Sequence, residues 1–237
     1  MIKDCVILAG GFGTRIAEYT HSIPKPMITI GRKPILGHII DYYQNHGVKN
    51  IYLALGYKSN VIVDYFKDHK DYKDINIFFI KTGLKTLTGG RIKRLEKYLK
   101  NDFYLTYGDG LSNVNIKKLS KFHIQKKKIL TMTVVHPPAR FGEIEMINSL
   151  VSKFEEKPQL QKGWINGGFF VMSPKIFKYL KGDGEMLERE PMKRLVKKKE
   201  VVGFKHNDFW FCIDTKRERD LLQKMWRTNN RPWLTKK

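Results

Sequence analysis

The stretch LAGGFGTR occupies residues 8–15 and is followed by PKPM at residues 24–27. The apolar run at residues 5–9 predicts a buried strand, so the glycines fall where that strand ends and the chain must turn with its amides exposed. Glycine lets a ligand approach the backbone closely, successive N–H groups donate hydrogen bonds, and Arg15 and Lys25 add cationic donors. The stretch therefore predicts a phosphate-binding loop, and a nucleoside triphosphate fits such a site.

Two familiar glycine-rich loops do not match this spacing. The Walker pattern needs a Gly-Lys-Ser/Thr sequence, which does not follow here. The dinucleotide pattern GxGxxG fails as well, because Ile16 stands where its third glycine belongs. A plain turn after a strand remains the alternative for this cluster taken alone.

Strand-like and helix-like segments alternate through the first half of the chain. Apolar spacing predicts helices at 34–46, 59–69 and 90–100, with strands at 50–55, 75–80 and 103–107. The second half is richer in strands, which are expected at 129–136, 143–147, 151–154, 164–172 and 201–204, with helices at 174–180, 191–198 and 215–227. This series predicts an α/β fold with a Rossmann-like, mainly parallel mixed sheet and helices on both faces. The absence of a linker or repeat predicts that the second half extends the same sheet.

Composition sets the broad class of protein. The chain has 237 residues, of which 41% are hydrophobic, and this content is enough for a sizeable core. It carries no signal-like start and no apolar run long enough for a membrane span, so we expect a cytoplasmic protein. Its two cysteines, Cys5 and Cys212, each fall in a predicted strand, which predicts buried free thiols in a reducing compartment.

The formal net charge of +22 raises a second hypothesis, because basic proteins bind nucleic acid or anionic membranes. The lysines are scattered, however, with short runs only at 126–128, 197–199 and 236–237, and no nucleic-acid module is recognisable. We therefore expect these runs to be solvated faces and expect no specific nucleic-acid partner. A positive field would still raise the encounter rate with polyanionic substrates.

Two carboxylates are candidates for holding a metal ion. Ligands of open α/β sheets bind beyond the carboxyl ends of the strands, where both the loop at 10–15 and Asp109 are expected to lie. Asp109 stands between two glycines, and Asp214 follows the strand-like segment 209–213. Paired carboxylates that face triphosphate oxygens suit Mg²⁺. Taken singly, Asp109 reads as a turn residue and Asp214 as a helix cap.

Further motifs resemble a known family. LAGGxGTR followed by PKPM is similar to the signature of the sugar-1-phosphate nucleotidylyltransferases, which join a nucleoside triphosphate and a sugar phosphate into a nucleotide sugar. In the family's order follow TGGR at 88–91, YGDG at 107–110, RFG at 140–142, EKP at 156–158, INGGFF at 165–170 and IDT at 213–215. The combination with FWxxxDT at 209–215 is most similar to the glucose-1-phosphate cytidylyltransferases. The resemblance covers nearly the whole chain.

The resemblance implies a fold of the nucleotide-diphospho-sugar transferase type in a single domain, 1–237, with a nucleotide-binding half at about 1–128 and a sugar-binding half at about 129–237. It implies a Mg²⁺-dependent transfer of a cytidylyl group from CTP to a sugar 1-phosphate, first of all α-D-glucose 1-phosphate, with release of pyrophosphate. It also implies a homo-oligomer. An enzyme that uses dTTP or UTP, or another phosphorylated sugar or polyol, remains an alternative. A nucleotide-sugar-sensing or nucleic-acid-binding domain without the chemistry is the non-enzyme alternative.

The resemblance also assigns roles to individual residues. Catalytic roles fall on Arg15 and Lys25 at the triphosphate, Asp109 and Asp214 at the Mg²⁺ ion, and Lys157 at the sugar phosphate. Nucleotide contacts are expected from Leu8, Gly10, Gly11, Gly13, Thr14, Thr88, Gly89, Gly90 and Asp109, together with the two triphosphate cations. Sugar contacts are expected from Gly142, Glu156, Lys157, Asn166 and Gly167. Trp164 and Phe169 are expected in the core, because aromatic residues usually bury.

Overall fold

The alternation of strands and helices runs through the whole computed structural model, which describes residues 2–67, 69–137, 143–155 and 163–234. The strands are β1 (Asp4–Ala9), β2 (Thr29–Ile30), β3 (Lys33–Pro34), β4 (Asn50–Leu55), β5 (Asn76–Lys81), β6 (Phe103–Tyr107), β7 (Gly110–Ser112), β8 (Leu130–Val135), β9 (Glu143–Ile147), β10 (Leu150–Glu155), β11 (Ile165–Met172), β12 (Val201–His206) and β13 (Trp210–Cys212). The α-helices are α1 (Ala17–Thr20), α2 (Ile35–Asn45), α3 (Ser59–Lys67), α4 (Thr88–Lys93), α5 (Ile116–Lys126), α6 (Glu190–Lys197) and α7 (Lys216–Arg227). Short 3-10 helices span Thr14–Ile16, Lys25–Met27, Lys70–Tyr72 and Pro174–Tyr179. None of the helices in the described ranges is both long and apolar enough to cross a membrane.

Seven strands form the central sheet in the order β12-β8-β11-β6-β1-β4-β5. β1 pairs in parallel with β4 and β6, β4 with β5, and β12 with β8, whereas β11 runs antiparallel between β8 and β6. The predicted mainly parallel mixed sheet is therefore confirmed. The strands β8, β11 and β12 come from the second half of the chain and extend the sheet that the first half begins.

The core lies in two layers, one on each face of the sheet. Side chains alternate along a strand, so Cys5 and Ile7 of β1 join one buried cluster and Val6 and Leu8 join the other. The first cluster takes its helical residues from α2, α3, α5, α7 and the 3-10 helices Thr14–Ile16, Lys25–Met27 and Lys70–Tyr72. The second takes them from α4, α6 and the 3-10 helix Pro174–Tyr179. The helices cover both faces of the sheet, as predicted, and leave the ends of its strands uncovered.

Three local expectations are corrected. The helix predicted at 90–100 is the shorter α4, and residues 94–98 continue as turns. Helix α5 was not predicted, although its buried residues keep helical spacing and its N-cap Asn115 accepts a hydrogen bond from the Lys118 amide at 2.9 Å. Trp164 is 40% exposed and lies against His136, because β11 begins at the rim of the sheet. Phe169 is buried, as expected.

Candidate active site

The carboxyl ends of β1 and β6 lie side by side and carry the two segments singled out in the sequence. Leu8 pairs with Tyr107 across these strands, and the Gly108 amide donates to the Leu8 carbonyl at 3.0 Å. The glycine loop at 10–15 and Asp109 therefore emerge next to each other, as predicted. Gly13 has a φ of 67°, a left-handed conformation that glycine adopts without strain, and it directly precedes the 3-10 helix Thr14–Ile16.

Two adjoining cavities open at this edge of the sheet. The first has a volume of about 370 Å³ and lies between the glycine loop and residues 84–88. The second has a volume of about 690 Å³ and lies between β11, β13 and the start of α7. Arg15, Tyr107 and Asp109 line both cavities, so a group bound in one can meet a group bound in the other.

A cluster of four charged side chains marks the boundary between the cavities. Lys25 Nζ lies 2.6 Å from Asp109 Oδ2 and 2.7 Å from Asp214 Oδ1, and Arg15 donates to Asp214 Oδ2 at 2.6 Å. The local sequence fixes Lys25, because Pro24 is extended and Pro26 lies in the first turn of the 3-10 helix Lys25–Met27. Burial acts to lower the pKa of Lys25, but the two carboxylates outweigh it and raise that pKa, so the ammonium stays charged.

The same cluster has the donor set of a cation site. One oxygen each from Asp109 and Asp214 and the Cys212 sulfur all lie within 4.8 Å of one another. Burial, aided by the two aspartates, raises the pKa of the Cys212 thiol, which therefore stays neutral. The carboxylate oxygens suit a hard divalent cation such as Mg²⁺, whereas a neutral thiol does not. The Lys25 ammonium already lies between these two carboxylates.

A chain of hydrogen bonds links the two cavities on the opposite wall. Thr88 at the start of α4 donates to Glu188 at 2.7 Å, and the Tyr107 hydroxyl donates to the other oxygen of the same carboxylate. Asn166 reaches the Tyr107 hydroxyl at 3.5 Å, and its own carbonyl oxygen accepts from the Gly168 amide at 2.9 Å. Burial and the Glu188 carboxylate raise the pKa of Tyr107, so its hydroxyl keeps its proton and can donate. Glu188 thus fixes one side chain in each cavity.

The geometry of a glycine loop facing paired carboxylates agrees with the comparison with known families. The family model described as nucleotidyl transferase matches residues 4–218. The chain belongs to the nucleotidyl transferase family. Its match begins at β1 and ends within the first turn of α7, so it includes every charged residue of the cluster.

Two curated relatives of this nucleotidyl transferase span almost its full length. It is 38% identical over 252 aligned positions to the glucose-1-phosphate cytidylyltransferase of Salmonella typhimurium, with 97% of this chain and 98% of the relative covered. It is 40% identical over 249 positions to a probable glucose-1-phosphate cytidylyltransferase of Bacillus subtilis, with coverage of 96% and 98%. The solved structure of HddC from Yersinia pseudotuberculosis complexed with GMP-PN has a TM-score of 0.75 at 27% identity and covers 95% of this chain and 100% of its own.

Most residues that the sequence singled out in this nucleotidyl transferase lie at the cavities. The first cavity is lined by Leu8, Gly10, Gly11, Gly13, Thr14, Arg15, Lys25, Thr88 and Asp109, and the second by Arg15, Asp109, Asn166, Gly167 and Asp214. Gly142, Glu156 and Lys157 lie outside the described residues, so their roles stay predictions. Sequence reasoning missed Tyr107 as a side chain, Met186 and Glu188, which also line the cavities. Tyr107 stands in the quoted YGDG motif, but Glu188 belongs to no motif that was recognised.

Gly89 and Gly90 do not line either cavity. The Gly89 amide donates to the Glu185 carbonyl at 2.9 Å, and a Cβ on Gly90 would lie 2.5 Å from the Asp183 Cα. These glycines let the segment at 182–187 pack against the start of α4, which places Met186 at the first cavity. They therefore position the wall of the site rather than form it.

Arg91, the last residue of the TGGR motif, ties the two walls of the first cavity together. It is only 4% exposed, and its guanidinium donates to the Gly10 carbonyl at 2.9 Å, the Thr82 hydroxyl at 2.6 Å and the Gly83 carbonyl at 2.8 Å. Burial lowers the pKa of Arg91. A Cβ on Gly10 would lie 2.2 Å from the guanidinium, so glycine is required there. The motif was recognised in the sequence, but this residue received no role.

We predict that Arg91→Met lowers the free energy of unfolding by about 3 kcal/mol or more, because it removes the buried hydrogen bonds that the guanidinium donates to Gly10, Thr82 and Gly83. The matched control is Arg94→Met, one turn later, which removes an exposed pair with Asp183 and should destabilise the protein far less than Arg91→Met. Denaturant unfolding followed by circular dichroism measures both. Equal losses for the two variants would mean that Arg91 does not hold the cavity walls.

Proposed function

We propose that this nucleotidyl transferase moves a cytidylyl group from CTP to a sugar 1-phosphate, α-D-glucose 1-phosphate first of all, and releases a CDP-sugar and pyrophosphate. The observation that carries the proposal is the charge cluster of Lys25, Asp109, Asp214 and Arg15 at the boundary of two cavities. Two substrates must meet in this reaction, and both are polyanions. The names of the curated full-length relatives support the choice of CTP and glucose 1-phosphate.

In this reaction a phosphate oxygen of the sugar phosphate attacks the α-phosphorus of CTP. A new P–O bond forms, the bond from the α-phosphorus to its bridging oxygen breaks, and pyrophosphate leaves with that oxygen. Phosphoryl-type transfer needs alignment and neutralisation of charge rather than a protein nucleophile. The glycine loop would hold the triphosphate through its amides, and Arg15 and Lys25 would neutralise its charge.

We infer that Asp109 and Asp214 hold Mg²⁺, which, when bound, neutralises the phosphates and orients them. The two carboxylates fit the ion, since each presents an oxygen to a common centre. Lys25 lies between the carboxylates and offsets their mutual repulsion. Its ammonium is therefore already at the place where we propose that the phosphates of the two substrates meet.

The base and the sugar are assigned to different cavities. We infer that the base lies in the first cavity against residues 84–88, where backbone groups can read its edge without loss of side-chain entropy. We infer that Asn166, Gly167 and Glu188 contact the sugar in the second cavity. The predicted sugar-side roles of Gly142, Glu156 and Lys157 belong to the same proposal, as do a cytoplasmic location and a homo-oligomeric state.

We predict that CTP with glucose 1-phosphate gives the fastest release of pyrophosphate. The test incubates the protein with Mg²⁺, one of CTP, dTTP, UTP, GTP or ATP, and one of a panel of sugar phosphates. Turnover with dTTP or UTP that equals or exceeds turnover with CTP would favour the alternative nucleotide. An absence of pyrophosphate release with every pair would contradict the proposal that the protein catalyses this transfer.

We predict that Asp109→Asn and Asp214→Asn each lower turnover on the order of a hundredfold or more, because each removes a charged ligand of the ion. The matched control is Asp64→Asn on the exposed side of α3, which should keep native turnover. Thermal unfolding checks that all three variants are folded, and a Mg²⁺ titration separates weaker metal binding from lost chemistry. Near-native turnover of either site variant at low Mg²⁺ would show that its carboxylate is not a ligand.

A further inference from the structure

Two lysine runs that are distant in sequence meet at one corner of the sheet. The run at 126–128 begins with the last residue of α5 and precedes β8, and the run at 197–199 begins with the last residue of α6 and precedes β12. β8 and β12 are parallel neighbours whose first residues, Leu130 and Val201, pair with each other. Because neighbouring strands lie about 4.8 Å apart, the two runs come together at the amino ends of these strands.

We define this lysine corner as the six residues Lys126, Lys127, Lys128, Lys197, Lys198 and Lys199. Five of them are exposed and Lys128 is half-buried. Within the part of the chain that the structure describes, none of the six forms a salt bridge. Glu200 is the neighbouring acid, and its carboxylate accepts a hydrogen bond from the Ile129 amide at 3.2 Å. The corner is therefore a concentrated positive patch, with six lysines beside the single neighbouring carboxylate of Glu200.

Exposed aliphatic side chains accompany the charges. Ile124 in the last turn of α5 is 59% exposed, and Val196 in the last turn of α6 is 57% exposed. α5 and α6 pack on opposite faces of the sheet, since Leu119 belongs to one buried cluster and Leu195 to the other. One aliphatic side chain thus stands on each side of the sheet edge, next to its own run of lysines.

We propose that the lysine corner binds the surface of an anionic lipid bilayer. Lysines near such a surface are attracted by its negative potential, and aliphatic side chains enter the headgroup boundary. A nucleic acid is the less suitable partner, because all six cations are lysines and none is the forked arginine that recognises phosphates and bases in a bidentate manner. The exposed side chains Ile124 and Val196 are aliphatic, and the Phe122 ring near Lys126 is half-buried against Phe204, so the corner suits a lipid surface better than a stack of bases.

The corner is at the end of the sheet opposite the active site. The glycine loop and Asp109 follow the carboxyl ends of β1 and β6, whereas the lysines precede the amino ends of β8 and β12, which run in the same direction. A bilayer at the corner would therefore leave both cavities open to solvent. The inference does not depend on which nucleotide the enzyme uses.

The test is sedimentation of the full chain with vesicles of phosphatidylglycerol and phosphatidylcholine, compared with vesicles of phosphatidylcholine alone. Binding is expected only with the anionic vesicles, and it should weaken as salt is raised. The triple variant Lys126→Gln, Lys197→Gln and Lys198→Gln should lower the partition coefficient on the order of a hundredfold. It spares Lys127 and Lys199, whose positive φ makes them less suitable for substitution.

A matched triple variant provides the control, with the changes Lys67→Gln, Lys70→Gln and Lys73→Gln. These exposed lysines precede β5, the opposite edge strand, and their loss lowers the net charge by the same amount. Six strand spacings of about 4.8 Å separate the two edges, which exceeds the Debye length of about 8 Å in physiological salt. The control should bind anionic vesicles nearly as well as the native chain, and a loss equal to that of the corner variant would overturn the proposal.

Two further readouts complete the test. The corner variant should keep native pyrophosphate release without vesicles, and saturating anionic vesicles should leave the native rate unchanged. Inhibition by bound vesicles would overturn the proposed orientation. Equal binding to neutral vesicles, or tight binding of a random DNA duplex that the corner variant loses while vesicles are not bound, would overturn the lipid assignment itself. Loss of turnover in every substrate pair with vesicle binding intact would count against the proposed function alone.

Discussion

The ion pairs of Lys25 join three distant parts of the chain at the point where the chemistry is proposed. Asp109 is 84 residues away from Lys25 in sequence, and Asp214 is 189 residues away. Two half-buried carboxylates that face each other would be costly without a cation between them. A lysine held by flanking prolines supplies that cation, so the end of β6 and the start of α7 can approach the glycine loop.

A second buried cation, Arg91, meets no carboxylate in its hydrogen bonds within the described chain. Backbone carbonyls and one hydroxyl surround it, and these neutral acceptors fix its fork in place. The two cations therefore have different roles. Arg91 sets the distance between the walls of the first cavity, whereas Lys25 neutralises Asp109 and Asp214, the carboxylates that we propose as metal ligands.

The sequence predicted the features that depend on short-range pattern. The run before Gly10 placed β1, and the alternation of apolar segments placed the parallel sheet and its two helical layers. Features that depend on tertiary contact could not be predicted in this way. Gly89 and Gly90 stand in a recognised motif, yet contacts with the segment at 182–187 decide that they pack away from the cavities. Glu188 acquires its place only because Thr88 and Tyr107 donate to it from distant elements.

The cations that contribute to the net charge of +22 have different partners at the two ends of the sheet. At the carboxyl end the cations meet acids, since Lys25 and Arg15 pair with Asp109 and Asp214. At the lysine corner two runs of three lysines meet at the adjoining ends of β8 and β12, so their like charges repel one another. Folding brings these runs together although they are remote in sequence, so the corner is a property of the fold that no single run reveals. A surface partner that supplies negative charge would relieve that repulsion without obstructing the site at the other end.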